Sequence, residues 1–190
     1  MKHYGMPDKL VRIIQNMYQG ATCRVVHCGQ LSEAFELLTG GKQGCQLTPI
    51  MFLMLIDWIM RKTTNGRRMG IQWTMWDHLE DLDFANDIAL QLSHRFQQIQ
   101  EKTTRLETIA AGTGLRINGT KTKMMRIKNE NVNGVSLMSG PIEEVSEFTY
   151  LGSVVSKTGG TEQNRTLLPQ AKYLWQAARI ANMAIYAGCP

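Results

Sequence analysis

The residues best suited to chemistry in this sequence lie around one predicted turn. Two short apolar runs, Leu82 to Ala85 and Ile88 to Leu92, flank Asn86 and Asp87, a pattern typical of two strands joined by a tight turn. A carboxylate there is a candidate ligand for a hard cation such as Mg²⁺, which prefers anionic oxygen. The alternative is an ordinary turn aspartate that bonds its own backbone. The pattern alone leaves both interpretations of Asp87 open.

Two more aspartates precede this turn, in an acidic stretch that also contains Glu80. Because side chains alternate along a strand, Asp81 and Asp83 are predicted on the same face of the first strand. A solvated strand face is the expected environment for such a stretch. We therefore do not assign Asp81 and Asp83 to a metal.

A local basic cluster lies further along the chain, at Lys121, Lys123, Arg126 and Lys128. Lysine and arginine side chains of this kind contact phosphates in many nucleic-acid-binding proteins. Basic residues on a solvated strand are the commoner explanation. The net charge of +5 permits a polyanionic partner without requiring one.

Composition and cysteine spacing exclude several classes of protein. Hydrophobic residues make up 43% and charged residues 19% of 190 residues, as in an ordinary globular domain. The four cysteines, Cys23, Cys28, Cys45 and Cys189, form no C-x-x-C pair, and no secretory signal pattern is recognisable. We therefore expect reduced thiols in an intracellular protein, in the cytoplasm or nucleus and not secreted. The longest apolar run, Ile50 to Met60, is too short to span a membrane and contains Asp57, so no membrane partner is expected.

Hydrophobic periodicity and turn residues predict alternating helices and short strands, and hence an α+β fold. Helices are predicted for residues 8–19, from Phe96 to about Gly112 and for residues 165–186. A further helix is predicted to follow an N-cap at Thr48, with Pro49 at its first helical position. Strands are predicted for Thr22 to Cys28 and Leu31 to Leu38 as a hairpin split by Gly29 and Gln30, for residues 82–92, for Thr122 to Lys128 and for residues 147–156.

Taken together, several blocks resemble the palm of a reverse transcriptase, and more narrowly that of a non-LTR retrotransposon of the endonuclease-bearing type. The blocks occur in the family's order and span most of the chain. They are Thr39-Gly-Gly-Lys-Gln-Gly-Cys-Gln-Leu-Thr-Pro49, Phe84-Ala-Asn-Asp87, Gly114-Leu-Arg-Ile-Asn118 with Lys121-Thr-Lys123, and Phe148-Thr-Tyr-Leu-Gly152. The resemblance implies RNA-directed DNA synthesis, a nucleotidyl transfer that uses two Mg²⁺ ions held by carboxylates from two palm strands.

The resemblance also implies a degenerate active site. The family's hairpin usually carries two consecutive aspartates, and here Asn86 stands at the first position while Asp87 matches the second, the surviving catalytic and metal ligand. A further family aspartate lies on a strand upstream of the first predicted helix and has no match in this sequence. We expect the chain to be a fragment that is inactive alone and whose own binding of Mg²⁺ is doubtful.

Further site residues follow from the same resemblance. Lys42, Gln43 and Gly44 match the turn beside the nascent base pair, and Lys121 matches a lysine near the incoming triphosphate. The segment Tyr150-Leu151-Gly152 matches the support of the primer end, with core packing of a small hairpin as the alternative.

The implied architecture is a partial polymerase palm with a small antiparallel sheet and packed helices in residues 1–160, followed by a truncated helical thumb remnant in residues 161–190. The partner would be an RNA or DNA primer-template, and a sheet lacking its first strand exposes an edge that favours self-association. The expected function is that of a retrotransposon reverse-transcriptase fragment. The alternatives are a nucleic-acid-binding remnant without catalysis and an inert translated relic.

Overall fold

The computed structural model describes residues 1–36, 40–41, 45–64, 70–72, 75–76, 78–85, 87–92, 96–126, 134–150, 153–157 and 183–188. The helices are a 3₁₀ turn at Lys2–Tyr4 and the α-helices α1 (Asp8–Tyr18), α2 (Leu47–Thr64) and α3 (Phe96–Gly112). The strands are β1 (Thr22–Cys23), β2 (Val26–His27), β3 (Gln30–Leu31), β4 (Phe35–Glu36), β5 (Ile71–Gln72), β6 (His78–Leu79), β7 (Asp81–Phe84), β8 (Asp87–Leu92), β9 (Lys123–Arg126), β10 (Ser136–Leu137), β11 (Gly140–Pro141), β12 (Glu143–Glu144), β13 (Glu147–Tyr150), β14 (Ser153–Ser156) and β15 (Met183–Gly188).

Residues 1–55 and residues 56–190 form two compact units, and the boundary between them falls inside α2. In the first unit, strands β1 to β4 form one hairpin, since β1 pairs with β4 and β2 with β3, both antiparallel. Its turn is Cys28-Gly29, where both residues have positive φ, 50° and 76°. Two consecutive left-handed residues define the turn whose twist suits a hairpin, and glycine adopts that conformation without strain. The predicted hairpin is confirmed, with its turn one residue earlier than expected.

The second unit is built on a five-stranded sheet with the order β12-β9-β15-β8-β7. The β7–β8 hairpin is antiparallel and pairs Phe84 with Asp87, so the predicted strand-turn-strand is confirmed. Strand β15 lies antiparallel to both β8 and β9 and occupies the gap between them. Because both strands are antiparallel to β15, β8 and β9 run parallel to each other with β15 between them. Helix α3 connects β8 to β9 along the chain.

Both faces of β8, an interior strand of the sheet, are covered, because Ile88, Ala89 and Leu90 are all buried. One face carries a core of Ala89 and Met125 with Tyr150 and Val155 from the β13–β14 hairpin. Helix α3 contacts β8 and contributes its own buried residues, including Ile99 and Leu106. A one-residue slip would move every side chain of β8 to the opposite face of the sheet and break its contacts on both sides, so the register of β8 is fixed.

Three sequence predictions need correction. Residues 183–186 were predicted as the end of a helix but belong to β15, since pairing with two strands at once satisfies their backbone groups in extended form and overrides an alanine-containing helical pattern. The rest of that predicted helix lies outside the described residues. Helix α2 begins at Leu47, so Thr48 lies inside its first turn and not at the N-cap; Pro49 is tolerated there because first-turn N–H groups have no intrahelical acceptor.

The third correction concerns Asp81, which is half-buried and does not lie on a solvated face. Its partner across the hairpin is Leu90, which is fully buried, so the two aspartates of β7 share the face of Leu90 and Ile88. Asp83, nearer the turn, is exposed.

Helices, small antiparallel sheets and a five-stranded sheet that is antiparallel except for the parallel pair β9–β12 make the fold α+β, as the sequence predicts. Among the described residues, no helix combines the length and apolar character that crossing a membrane requires. The remaining edges of the five-stranded sheet are β7 and β12. Nothing in the described part of the chain supports the predicted self-association.

Candidate active site

The β7–β8 hairpin presents Asp87 at the start of β8. The chain turns at Ala85, whose φ of 53° is left-handed, and Asn86 lies outside the described residues. Phe84 and Asp87 are directly paired and project to the same face of the sheet, which is also the face of Leu82 and Ala89. Phe84 is 49% exposed and Asp87 is half-buried. The carboxylate of Asp87 is therefore partly accessible to solvent beside an aromatic ring.

Tyr150 contacts this hairpin from β13. Its side chain is buried, and its hydroxyl donates a long hydrogen bond of 3.4 Å to the main-chain oxygen of Asp87. Burial raises the pKa of Tyr150, and the negative charges of Asp87 and Asp83 raise it further, so the hydroxyl keeps its proton and remains a donor. Tyr150 packs in the core and is bonded to the hairpin, which favours the core-packing interpretation of this segment. Leu151 and Gly152 lie outside the described residues.

Behind the hairpin lies a buried charge cluster that the sequence analysis missed. Lys102 of α3 is 1% exposed, and its ammonium donates to the carbonyl oxygen of Glu80 at 2.6 Å and to the carboxylate of Glu80 at 2.8 Å. Burial lowers the pKa of Lys102, while the Glu80 carboxylate opposes that shift. A signal was present in the sequence, because Lys102 falls on the helix face that carries Ile99 and Leu106.

Glu80 connects this lysine to a tight approach of the backbone. Its second carboxylate oxygen accepts a hydrogen bond of 2.8 Å from the backbone N–H of Gly70. A Cβ at Gly70 would stand 2.2 Å from the carbonyl oxygen of Leu79, so no other residue fits there unchanged. Lys102, Glu80 and Gly70 together fix the entry into β7, the strand that leads to the hairpin.

Asp81 lies beside this cluster and is held in an unfavourable ionic environment. The pKa of Asp81 is raised to about 6, and burial is the largest cause. The positive charge of Lys102 opposes this rise, and the neighbouring carboxylates of Asp83, Glu80 and Asp57 add to it. Burial also raises the pKa of Asp83. Within the acidic stretch, Glu80 and Asp81 are thus stabilised by one buried cation, Lys102.

The predicted basic cluster is largely neutralised. Lys123 forms an ion pair with Glu143, and Arg126, which is mostly buried, lies 3.1 Å from the carboxylate of Glu144. Lys121 is exposed in a turn where the side chain of Asn118 accepts a hydrogen bond of 3.2 Å from the Lys121 N–H. Lys128 lies outside the described residues. Of the cluster's described members, Lys121 is the exposed one.

The glycine-rich segment adjoins the start of α2 in the first unit. Lys42, Gln43 and Gly44 lie outside the described residues, so their predicted roles remain predictions. A Cβ at Gly41 would stand 2.1 Å from a methyl carbon of Thr48, so Gly41 lies close to the first turn of α2. The Thr48 hydroxyl is also within hydrogen-bond distance, 3.0 Å, of the Tyr18 hydroxyl.

Cys45 follows this segment and has an activated thiol. A hydrogen bond from the backbone N–H of Leu47 lowers the pKa of Cys45, and further hydrogen bonds from Thr48 and Tyr18 lower it more, against partial desolvation. These donors stabilise the thiolate, the reactive form of cysteine. Cys23, Cys28 and Cys45 are all free thiols.

We expect Cys45 to be alkylated by iodoacetamide at pH 7 about threefold faster than Cys28, although Cys28 is the more exposed thiol. The intact chain is labelled, the reaction is quenched at timed intervals, and mass spectrometry of the digested peptides measures both rates. The Thr48→Val substitution should slow the alkylation of Cys45 and leave that of Cys28 unchanged. Faster labelling of Cys28 would show that exposure, not thiolate stabilisation, governs reactivity.

The described residues do not by themselves fit the two metal ions that the family resemblance implies. No group of three or more His, Cys, Asp or Glu side chains in the described part of the chain could hold a metal ion. Asp87 supplies one carboxylate on its face of the hairpin, while Asp81 and Asp83 project to the other face. We therefore derive no catalytic step through a metal.

Comparison with known proteins identifies the family of the segment that contains the hairpin. The family profile described as reverse transcriptase (RNA-dependent DNA polymerase) matches residues 1–155. The chain belongs to this family.

Two curated relatives narrow the class to reverse transcriptases of non-LTR retrotransposons. The Retrovirus-related Pol polyprotein from type-2 retrotransposable element R2DM of Drosophila melanogaster is 26% identical over 179 residues, covering 86% of this chain and 16% of the relative. The Pol polyprotein from type-1 retrotransposable element R2 of Popillia japonica is 23% identical over 171 residues, covering 84% of this chain and 28% of the relative. The chain thus spans less than a third of either relative.

Proposed function

We propose that this chain is part of the polymerase palm of a retrotransposon reverse transcriptase and that its 190 residues alone do not polymerise DNA. The observation that carries the proposal is the β7–β8 hairpin, which presents the carboxylate of Asp87 while the preceding residue is Asn86. The proposed division, palm in residues 1–160 and a thumb remnant in residues 161–190, has one exception, because β15 (Met183–Gly188) pairs with β8 and β9 in the main sheet.

Charge is the physical reason for inactivity. Two divalent cations carry four positive charges, and the carboxylates around them offset that charge and fix the geometry of the transferred phosphoryl group. An amide has nearly the shape of a carboxylate but no charge. Asn86 therefore removes one negative charge from a site that also needs carboxylates from a second strand.

The proposed partner is an RNA or DNA primer-template. Lys42, Gln43 and Gly44 would contact the nascent base pair, and the exposed ammonium of Lys121 would contact a phosphate. Tyr150 would act at the primer end only indirectly, through the hairpin to which its hydroxyl is bonded.

The test is a primer-extension assay on the 190-residue chain with Mg²⁺ or Mn²⁺. We expect no templated incorporation by the unaltered chain or by Asp87→Asn, which serves as the control for contaminating polymerase. Incorporation by the unaltered chain that disappears in Asp87→Asn would contradict the proposal. Incorporation gained by Asn86→Asp would identify the missing charge as the cause.

The exposure of Lys121 favours a second candidate, nucleic-acid binding without catalysis. The same primer-template distinguishes the two, since binding through phosphates weakens steeply with salt. Lys121→Glu should weaken binding more than Lys123→Glu, because Lys123 is already paired with Glu143. Absence of binding at low salt would leave the inert relic.

A further inference from the structure

Strand β15 holds the two halves of the main sheet together. Strands β8 and β9 flank β15 and run antiparallel to it, so they lie two strand spacings, about 10 Å, apart and cannot bond to each other directly. Six residues of β15 pair with β8, and four of them also pair with β9. The β7–β8 hairpin is therefore joined to β9 and β12 only through β15, among the described strands.

The same strand provides the neighbour of Asp87 inside the sheet. Asp87 is paired with Phe84 on one side and with Gly188 on the other. Residues directly opposite each other in antiparallel strands project to the same face, with Cβ positions about 5 Å apart. The row Phe84, Asp87 and Gly188 thus crosses three strands on one face and contains one carboxylate.

The other residues of β15 supply no carboxylate either, since the strand reads Met-Ala-Ile-Tyr-Ala-Gly. The register that pairs Gly188 with Asp87 also pairs Tyr186 with Ala89. The position from which a second strand would offer an anionic oxygen is occupied by uncharged residues.

We infer that β15 closes the palm sheet in a form deficient in metal ligands, and that position 188 decides whether the Asp87 hairpin holds a divalent cation. This inference rests on the proposed function, because it concerns the same hairpin. Two carboxylates about 5 Å apart at their Cβ positions can share one cation with oxygen ligands at about 2.0–2.6 Å. One carboxylate beside a glycine and a phenylalanine binds such a cation weakly.

The test is a titration of the full chain with Mn²⁺, in which electron paramagnetic resonance measures the concentration of the free ion. Gly188→Asp should bind Mn²⁺ on the order of tenfold more tightly than the unaltered chain, because affinity for hard cations rises with the number of charged ligands. Gly188→Asn is the matched control, with the same shape and no charge, and should bind like the unaltered chain. Adding Asp87→Asn to Gly188→Asp should abolish the gain.

Three results would overturn the inference. They are Mn²⁺ binding by the unaltered chain as tight as by Gly188→Asp, no gain in a Gly188→Asp chain that circular dichroism shows to be folded, and a gain that survives Asp87→Asn. None of these measurements depends on polymerisation. The primer-extension assay can therefore fail or succeed independently of this test.

A second experiment covers the case in which Gly188→Asp does not fold. In a chain whose native cysteines are replaced by serine, Gly188→Cys and Asp87→Cys should form a disulfide on mild oxidation, because paired Cα atoms lie about 5 Å apart. Gly188→Cys with Ile88→Cys is the control, since Ile88 pairs with Ala187 and projects to the other face. Equal cross-linking of both pairs, or none, would overturn the placement of Gly188 beside Asp87.

Discussion

Lys102→Met should lower the free energy of unfolding by about 3 kcal/mol, because it leaves a partly buried carboxylate without its cation. The ammonium of Lys102 makes two short hydrogen bonds to Glu80, whose side chain is only 18% exposed. The same ammonium is the opposing charge that limits the pKa rise of Asp81. Methionine retains most of the packing volume, so the loss reports the charge. Urea denaturation followed by circular dichroism at pH 7.5 measures it.

Two control variants separate the ion pair from general damage to α3. Lys102→Met with Glu80→Gln removes both charges and keeps an acceptor for the Gly70 N–H, so it should be less destabilised than Lys102→Met alone. Arg105→Met, on the same helix and half-exposed, should change stability by less than about 0.5 kcal/mol. A Lys102→Met chain as stable as Arg105→Met would show that the pair contributes nothing.

Asp81→Asn should have the opposite effect and raise the free energy of unfolding by about 2 kcal/mol at pH 7.5. In the folded chain Asp81 has a pKa of about 6, above its ordinary value of 3.8, so folding favours the protonated form. As the pH rises from about 4 to 6, the unfolded chain loses this proton first, and stability falls. Above pH 7 the whole penalty is present. Each unit of pKa difference corresponds to about 1.4 kcal/mol, which sets an upper limit near 3 kcal/mol.

The pH dependence is the decisive measurement for Asp81. The stabilisation by Asn should disappear at pH 4, where the aspartic acid is neutral in the folded chain. Asp83→Asn, at an exposed position on the same strand face, should give a smaller gain. In the Lys102→Met background the gain from Asp81→Asn should increase, because the cation that offsets Asp81 is gone. A gain of equal size at pH 4 and pH 7.5 would rule out ionisation as its cause.

These charges bear on the site because they lie in the strand that positions it. Glu80 and Asp81 enter β7, and Asp87 follows the turn at the end of that strand. Glu80 and Asp81 depend on one buried lysine, and this cluster gives the hairpin a defined entry at a cost in stability. The position of the hairpin is therefore supported by residues that precede it in the chain.

Local pattern was sufficient for much of the fold. The period of apolar residues predicted α1 and α3, and the glycine that follows α3 in left-handed conformation, Gly114, marks its end as expected. Strand alternation around Asn86-Asp87 predicted the β7–β8 hairpin, and several motifs in order predicted the reverse transcriptase family. These features depend on neighbours within a few residues, or on the linear order of motifs, which a sequence contains directly.

The sequence by itself therefore determined the family, the β7–β8 hairpin and the presence of Asn86 directly before Asp87. Only the tertiary structure decided that Gly188 is the neighbour of Asp87 across the sheet, that residues 183–188 form a strand, that Lys102 is buried and that Asp81 is half-buried. The reason is physical. Strand partners and the burial of a charge depend on long-range pairing and on the dielectric surroundings of a side chain, and both arise from segments far apart in sequence.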